Sequence, residues 1–234
     1  MGEPNSVEPE GDISSASELD PVALGFMCGL EIHQQLATGK LHSREAGMMF
    51  DVTSETVPDE WPRIHRKLRA ASGEGGKIDV AARFEQKRNR SFIYVQSPNS
   101  GLIELDDAPP LSHDKEAVDT TLIISGMLDA KPASLFQAMR KTVVDGSNTS
   151  GFQRTTLIAT DGKLVTDSSP VGIDLICLEE DSSRKLKAEL TDQGEIVTWN
   201  LDRLGIPLVE IATAPDIISP EHAKEAAFGL GTLL

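Results

Sequence analysis

Most of the stretch from residue 134 to residue 213 is written in strand-length units. The segments 134–144, 152–160, 163–166, 172–178, 196–201 and 207–213 are short runs rich in aliphatic and β-branched residues, separated by Gly, Pro, Asn, Asp and Ser. Asp161-Gly162 between two of them predicts a tight hairpin turn. Upstream, residues 26–34 (FMCGLEIHQ) read as a first strand, 78–89 as a helix and 92–95 as a strand. A turn-rich stretch through Pro109-Pro110 follows, then a helix opened by Ser112 and running to about Asp129, with Val118, Leu122 and Met127 on a broad apolar face. Ser219-Pro220-Glu221 starts a last helix: a capping hydroxyl, proline in the first turn and an acid facing the helix dipole. The pattern predicts one α+β domain over 24–234, built around a mostly antiparallel sheet. That last helix is still running at Leu234, so the domain reads as incomplete at its C-terminus.

Composition narrows the classes. Hydrophobic residues at 39% and charged residues at 25% suit a soluble chain with a sizeable core, and no run approaches the roughly 18–20 apolar residues of a membrane span. Residues 1–23 read as a disordered acidic tail, and the first twenty residues lack the order of a signal peptide. Cys28 and Cys177 each sit in an apolar run and form no Cys-x-x-Cys pair, which predicts buried thiols, no zinc and a reducing, cytoplasmic setting. The net charge of −15 argues by itself against a nucleic-acid partner. Residues 61–90 depart from it, with nine Lys and Arg against three acids. That segment is either a phosphate-facing surface or an ordinary solvated helix face.

Three strands carry acids. Side chains alternate along a strand, so Glu31 and His33 share a face of the first one. The run 173–178 leads into Glu179, Glu180 and Asp181, and Glu210 stands among aliphatic neighbours in IPLVEIA. Burial of an unpaired charge is costly, and proteins pair such groups or give them a metal. Acids from three strands with one histidine resemble a site for a hard cation such as Mg²⁺, which is commonly held by one or two carboxylates and substrate phosphates. Taken singly, each has a plainer reading: a solvated strand end, an edge residue, a structural histidine. The loop DGSNTSG (145–151) offers backbone N–H groups and hydroxyls, including Ser147 and Asn148, to a phosphate or a carboxylate. Arg140, Lys141 and Arg154 flank it as compensating charge, which makes these five the cofactor-binding candidates. It is neither a Walker A loop nor a Rossmann fingerprint, and a flexible hairpin loop is the alternative.

GLEIHQQL (29–36), the RK…DGSNTSGFQRT block (140–155), ICLEED (176–181) and LDRLGIPLVEIATAPDI (201–217) follow one another in order. Together they resemble the family of B-type and E-type subunits of the glutamyl-tRNA(Gln) amidotransferases, and the wording DGSNTSGFQRT is similar to the archaeal E branch rather than the bacterial B branch. The resemblance implies a cradle domain like that of glutamine synthetase and guanido kinases, an antiparallel sheet backed by helices. It implies ATP-dependent transamidation of Glu-tRNA(Gln) to Gln-tRNA(Gln) through a γ-phosphoryl intermediate. Ammonia would come from an asparaginase-like glutaminase, the D-type partner in a heterodimer, with no membrane and no DNA involved. It further implies Mg²⁺ ligands and catalytic groups at Glu31, His33, Glu180 and Glu210, with Glu179 the less favoured of the adjacent pair. Many relatives carry cysteines shortly after the first strand, where this chain reads Leu41-His42-Ser43-Arg44. The family extends well past Leu234 into regions that grip tRNA, so a fragment is expected. The alternatives are a bacterial B-type amidotransferase, a small-molecule phosphotransferase or ligase of similar fold, and a non-catalytic tRNA-binding scaffold.

Overall fold

The computed structural model describes residues 20–21, 23–67, 88–192 and 194–234, with Gly76, Ile78, Val80 and Arg83 besides. The acidic tail therefore lies almost wholly outside the described residues, as do most of the helix expected over 78–89 and the basic residues Arg69, Lys77 and Lys87.

The class is α+β with mostly antiparallel strands, but they form two sheets where one was expected. In the larger, β1 (Glu31–Gln35), β10 (Pro207–Thr213), β7 (Val171–Glu180) and β6 (Phe152–Leu164) lie side by side, all antiparallel. The outer edge of β6 pairs with β4 (Lys131–Pro132) and β5 (Ala138–Thr142). The smaller sheet runs β2 (Arg63–Lys67), β3 (Ser91–Val95), β9 (Gly194–Asn200) and β8 (Arg184–Thr191), with β3 and β9 parallel. Two helices, α1 (Lys115–Met127) and α2 (Pro220–Leu233), are the full ones among the described residues.

The helices cover one face of the larger sheet. Ala117, Ile124 and Leu128 from α1 and the turn after it, and Ala226 and Leu230 from α2, join Ile158, Ile176, Leu178, Val209 and Ile211 in one buried cluster. Each fully buried Leu, Ile or Val side chain there contributes about 1.5–3 kcal/mol. A second cluster, with Phe92, Tyr94, Val197, Trp199 and Leu201, belongs to the smaller sheet.

Several boundaries differ from expectation for local reasons. Regular pairing in the first strand begins only at Glu31, preceded by one isolated bridge between Cys28 and Ile217. The helix expected from Ser112 starts at Lys115, because Asp114 is the cap and its carboxylate accepts from the Ala117 N–H. Met127 is 56% exposed and faces solvent. Asp161-Gly162 is a kink inside β6: Thr160 and Gly162 both pair with β7, and Asp161 between them takes a φ of 53°. A Cβ on Gly162 would lie 2.9 Å from Ala130 Cβ and 3.0 Å from Leu128 O, so the strand passes too close to the end of α1 for any side chain. The cap at Ser219 holds, its hydroxyl accepting from the His222 N–H.

Candidate active site on the open face of the larger sheet

Residues directly opposite each other across an antiparallel ladder project to the same side. The register aligns His33 with Glu210 and Glu210 with Cys177, so these three and Glu31, two positions from His33, share the face away from the helices. Their side chains converge. His33 Nε2 is 3.2 Å from Glu31 Oε1 and 3.1 Å from Glu210 Oε2, and one ligand atom from each of the three lies within 4.8 Å of the others. The sequence placed Glu31 and His33 in a strand suited to burial, whereas both are exposed on an edge strand; Glu210, one strand in, is buried.

The network continues inward through Lys141. Its ammonium is 3.2 Å from Glu210 Oε2 and 3.4 Å from Glu179 Oε1. Glu179 has no exposed surface and also accepts from the Thr155 hydroxyl at 2.7 Å and the Gln153 amide at 2.9 Å. A buried carboxylate with three donors meets the requirement that such charges be satisfied. Burial by itself would lower the Lys141 ammonium; attraction to Glu179 and the hydrogen bond to Glu210 outweigh it and hold it above its ordinary value. Cys177 is pushed up to about 12 by burial and by the negative charges of Glu210 and Glu179, so its thiol stays protonated. Both cysteines are free.

Glu180 points the other way. Alternation along β7 sends it to the helix side, where Arg154 reaches both its oxygens at 3.0 and 3.1 Å and the Arg154 N–H adds a third bond. Burial raises its carboxyl above the ordinary range, Arg154 offsets part of that, and nearby Glu104 adds to it. The expectation that Glu180 joins the cluster is thus corrected: in the folded chain it is Glu179 that shares a face with Glu31, His33 and Glu210. The acidic run is not a solvated strand end either, since Glu179 and Glu180 are buried and Asp181 accepts from Gln35 at 2.6 Å.

The five cofactor-binding candidates separate into three places. Lys141 is in the cluster. Arg140 and Arg154 lie opposite each other across β5 and β6, flank the Phe152 ring at 5.0 and 5.2 Å, and line a cleft of about 800 Å³ on the helix side with His42 and His113. Ser147 is buried against Asp145, while Asn148 borders a cleft of about 220 Å³ with Arg66, Phe92 and Tyr94. That loop is ordered by close packing: Gly146, at φ 88°, sits where a Cβ would come 2.4 Å from the Phe92 ring, and Tyr94 donates to its carbonyl at 2.7 Å. The described basic residues near β2 and β3 are engaged within the chain, Arg63 with Asp59, Arg66 with Asp107, and Arg88 and Arg90 with Glu195.

Sequence reasoning named Glu179 as the less favoured of the adjacent pair, and it did not single out Gln153 or Thr155, the two neutral donors that hold it. The parity of Cys177 and Glu179 within one strand was readable; which side of the sheet that parity occupies was not.

Comparison with known proteins gives a consistent result. The chain is 43% identical over 206 residues to the E subunit of the glutamyl-tRNA(Gln) amidotransferase of Thermoplasma acidophilum, covering 88% of this chain and 32% of the relative. It is 46% identical over 221 residues to the corresponding E subunit of Haloarcula marismortui, covering 93% and 34% respectively. With the E subunit of Methanosarcina acetivorans the identity is 44% over 212 residues, 90% of this chain and 32% of that one. The chain thus spans about a third of the length of these curated relatives. Residues 26–234 match the family described as the GatB/GatE catalytic domain, and the chain belongs to that family.

Proposed function

We propose that this chain carries the phosphoryl-activation centre of a tRNA-dependent amidotransferase. The observation that carries the reading is the convergence of Glu31, His33 and Glu210 on an open sheet face, in a chain whose relatives are named for that reaction. A γ-carboxylate oxygen of the glutamate esterified to tRNA(Gln) attacks the terminal phosphorus of ATP, and ADP leaves. Ammonia from an asparaginase-like glutaminase partner of the D type then attacks the acyl carbon, phosphate leaves and the nitrogen gives up one proton.

Two carboxylates and an imidazole on adjacent strands fit a divalent cation such as Mg²⁺ or Mn²⁺, with the exposed sides of Glu31 and His33 leaving room for substrate. When bound, such a cation supplies neutralisation of the transferring phosphoryl oxygens. Glu31, His33 and Glu210 would hold it. Glu179, locked by Thr155 and Gln153, fixes the inner edge of the cluster. Lys141 is the cationic side chain beside the acids; Arg140 and Arg154 are on the other side of the sheet and serve that face.

The test is substrate-dependent ATP hydrolysis by the protein assembled with its glutaminase partner. Glu-tRNA(Gln), and not free glutamate, should stimulate it. Stimulation by free glutamate alone would identify a small-molecule phosphotransferase, and tRNA binding with no stimulated hydrolysis would identify a scaffold.

A further inference from the structure

One atom of the cluster is claimed twice. Glu210 Oε2 lies 3.1 Å from His33 Nε2 and 3.2 Å from Lys141 Nζ. A cation bound by Glu31, His33 and Glu210 would therefore share that oxygen with an ammonium at hydrogen-bond distance. Two positive charges that close, near a buried strand, repel strongly.

The structure gives Lys141 somewhere to go. It sits on β5, which among the described strands pairs with β6 alone and is exposed along its length. Its side chain is 51% exposed, while the two acids it bridges are 0% and 11% exposed. Of the three, only the lysine has a long flexible stem on an open surface. Glu179 keeps two other donors, Thr155 and Gln153, when the ammonium moves. The pair is therefore built so that the lysine leaves and the carboxylates stay.

We propose that Lys141 is the exchangeable counter-ion of this cluster. Without metal it neutralises Glu179 and Glu210; a divalent cation at Glu31, His33 and Glu210 displaces it from Glu210 and turns its ammonium toward the anionic oxygens of the nucleotide. This rests on the metal reading given above and adds a residue to it. Lys141 is a binding residue for the phosphate in the loaded state and a competitor of the metal in the empty one. Arg140, its neighbour in sequence, has no such role because it faces the opposite side of the sheet.

The two halves of the role predict opposite signs for one substitution. Mn²⁺ binding to the chain, followed by electron paramagnetic resonance at low ionic strength, should tighten about tenfold or more in Lys141→Met, since a like charge within a few Å is removed. Binding of ADP to the Mn²⁺-loaded protein should weaken about tenfold in the same variant. Arg140→Met should change neither. Methylation of Lys141 by formaldehyde and borohydride, read by mass spectrometry, should rise when Mn²⁺ is added to the wild type, which a static ion pair would not show. Unchanged or weaker Mn²⁺ binding in Lys141→Met, with Glu210→Gln losing the metal, would overturn the exchange while leaving the metal site standing. Absence of Mn²⁺ binding in the wild type as well as in Glu210→Gln would overturn the metal reading and this inference with it.

Discussion

Glu179 and Glu180 are the same residue type, adjacent in one strand and both buried, yet they belong to different chemistry. Glu179 looks onto the open face, held by neutral donors and a half-exposed lysine. Glu180 looks to the helix side of the sheet, held by an arginine whose side chain is only 12% exposed. The difference lies in what each partner can do. An arginine fork bound to both oxygens is a fixed structural tie. A single lysine bridging two acids on an exposed edge is a loose one. The open face of this sheet is arranged to change its charge partners, and the covered face to keep them.

The comparison is broken most directly by neutralising each acid in turn. Glu180→Gln replaces one oxygen of the Arg154 fork with an amide that cannot accept, while burial already disfavours the charged carboxylate, so it should cost about 1.5–3 kcal/mol in urea denaturation. Metal affinity should be unaffected. Glu179→Gln keeps an acceptor for Thr155 but sets a new amide against the Gln153 amide, and should cost about 1–3 kcal/mol. A larger loss at Glu179 than at Glu180 would reverse the assignment of the two faces.

The covered side should also carry much of the acid sensitivity. His42 is 4% exposed, bonded through Nδ1 to the Leu111 carbonyl, with its Nε2 unpartnered among the described residues. Burial, with smaller effects of His113, Arg154 and Arg44, lowers it from 6.5 to about 4, against the Leu111 bond, which raises it. Its folded value is depressed, so the unfolded chain takes up the proton first as pH falls. The stability this neutral imidazole provides is present above pH 6.5 and is lost as pH falls toward 4, by about 3 kcal/mol in total. Glu180 works in the opposite sense: its raised carboxyl favours the fold at low pH, and that contribution is lost as pH rises above 4.5 through the folded value. A stability–pH curve for His42→Gln should be flatter between pH 6.5 and 4 than that of the wild type. An equal slope in both would remove His42 from the account.

How much of this was legible before folding follows from what each feature depends on. β10 was readable to the residue because Pro207 and Thr213 bound an aliphatic run, and the Ser219 cap because its signals are all local. The sharing of a face by Glu31 and His33 follows from alternation alone. The choice between Glu179 and Glu180 was hidden, because it needs the register of β7 against β10, set by pairing between segments about thirty residues apart. β8 escaped notice because half of RKLKAELT is charged along an exposed edge, which is how edge strands avoid unwanted pairing and also how they resemble loops. Asp161-Gly162 misled for a different reason. Positive φ and a missing side chain are what a hairpin turn requires, and a strand passing against a helix end requires them too.

The smallest effects on stability should come from the open face itself, and they grade with exposure. In Glu210→Gln, Lys141 is half exposed and keeps Glu179 as a partner, and the neutral amide still offers an oxygen, so the change should stay within about 1 kcal/mol. Glu31→Gln, at a side chain 62% exposed on an edge strand, should fall within about 0.5 kcal/mol. Function should not follow the same scale. Under the proposed reaction Glu210, the acid that contacts both His33 and Lys141, is the one whose loss should abolish formation of the phosphorylated Glu-tRNA(Gln) in the assembled protein while tRNA binding persists. Among the described residues Glu31 is ion-paired with His33 alone, and its loss should weaken Mn²⁺ binding without removing it. Paired thermal melts and metal titrations on the two variants separate stability from ligation. If both were to melt far below the wild type, the open face would be a structural network, and the contrast between a face that exchanges partners and a face that keeps them would fail.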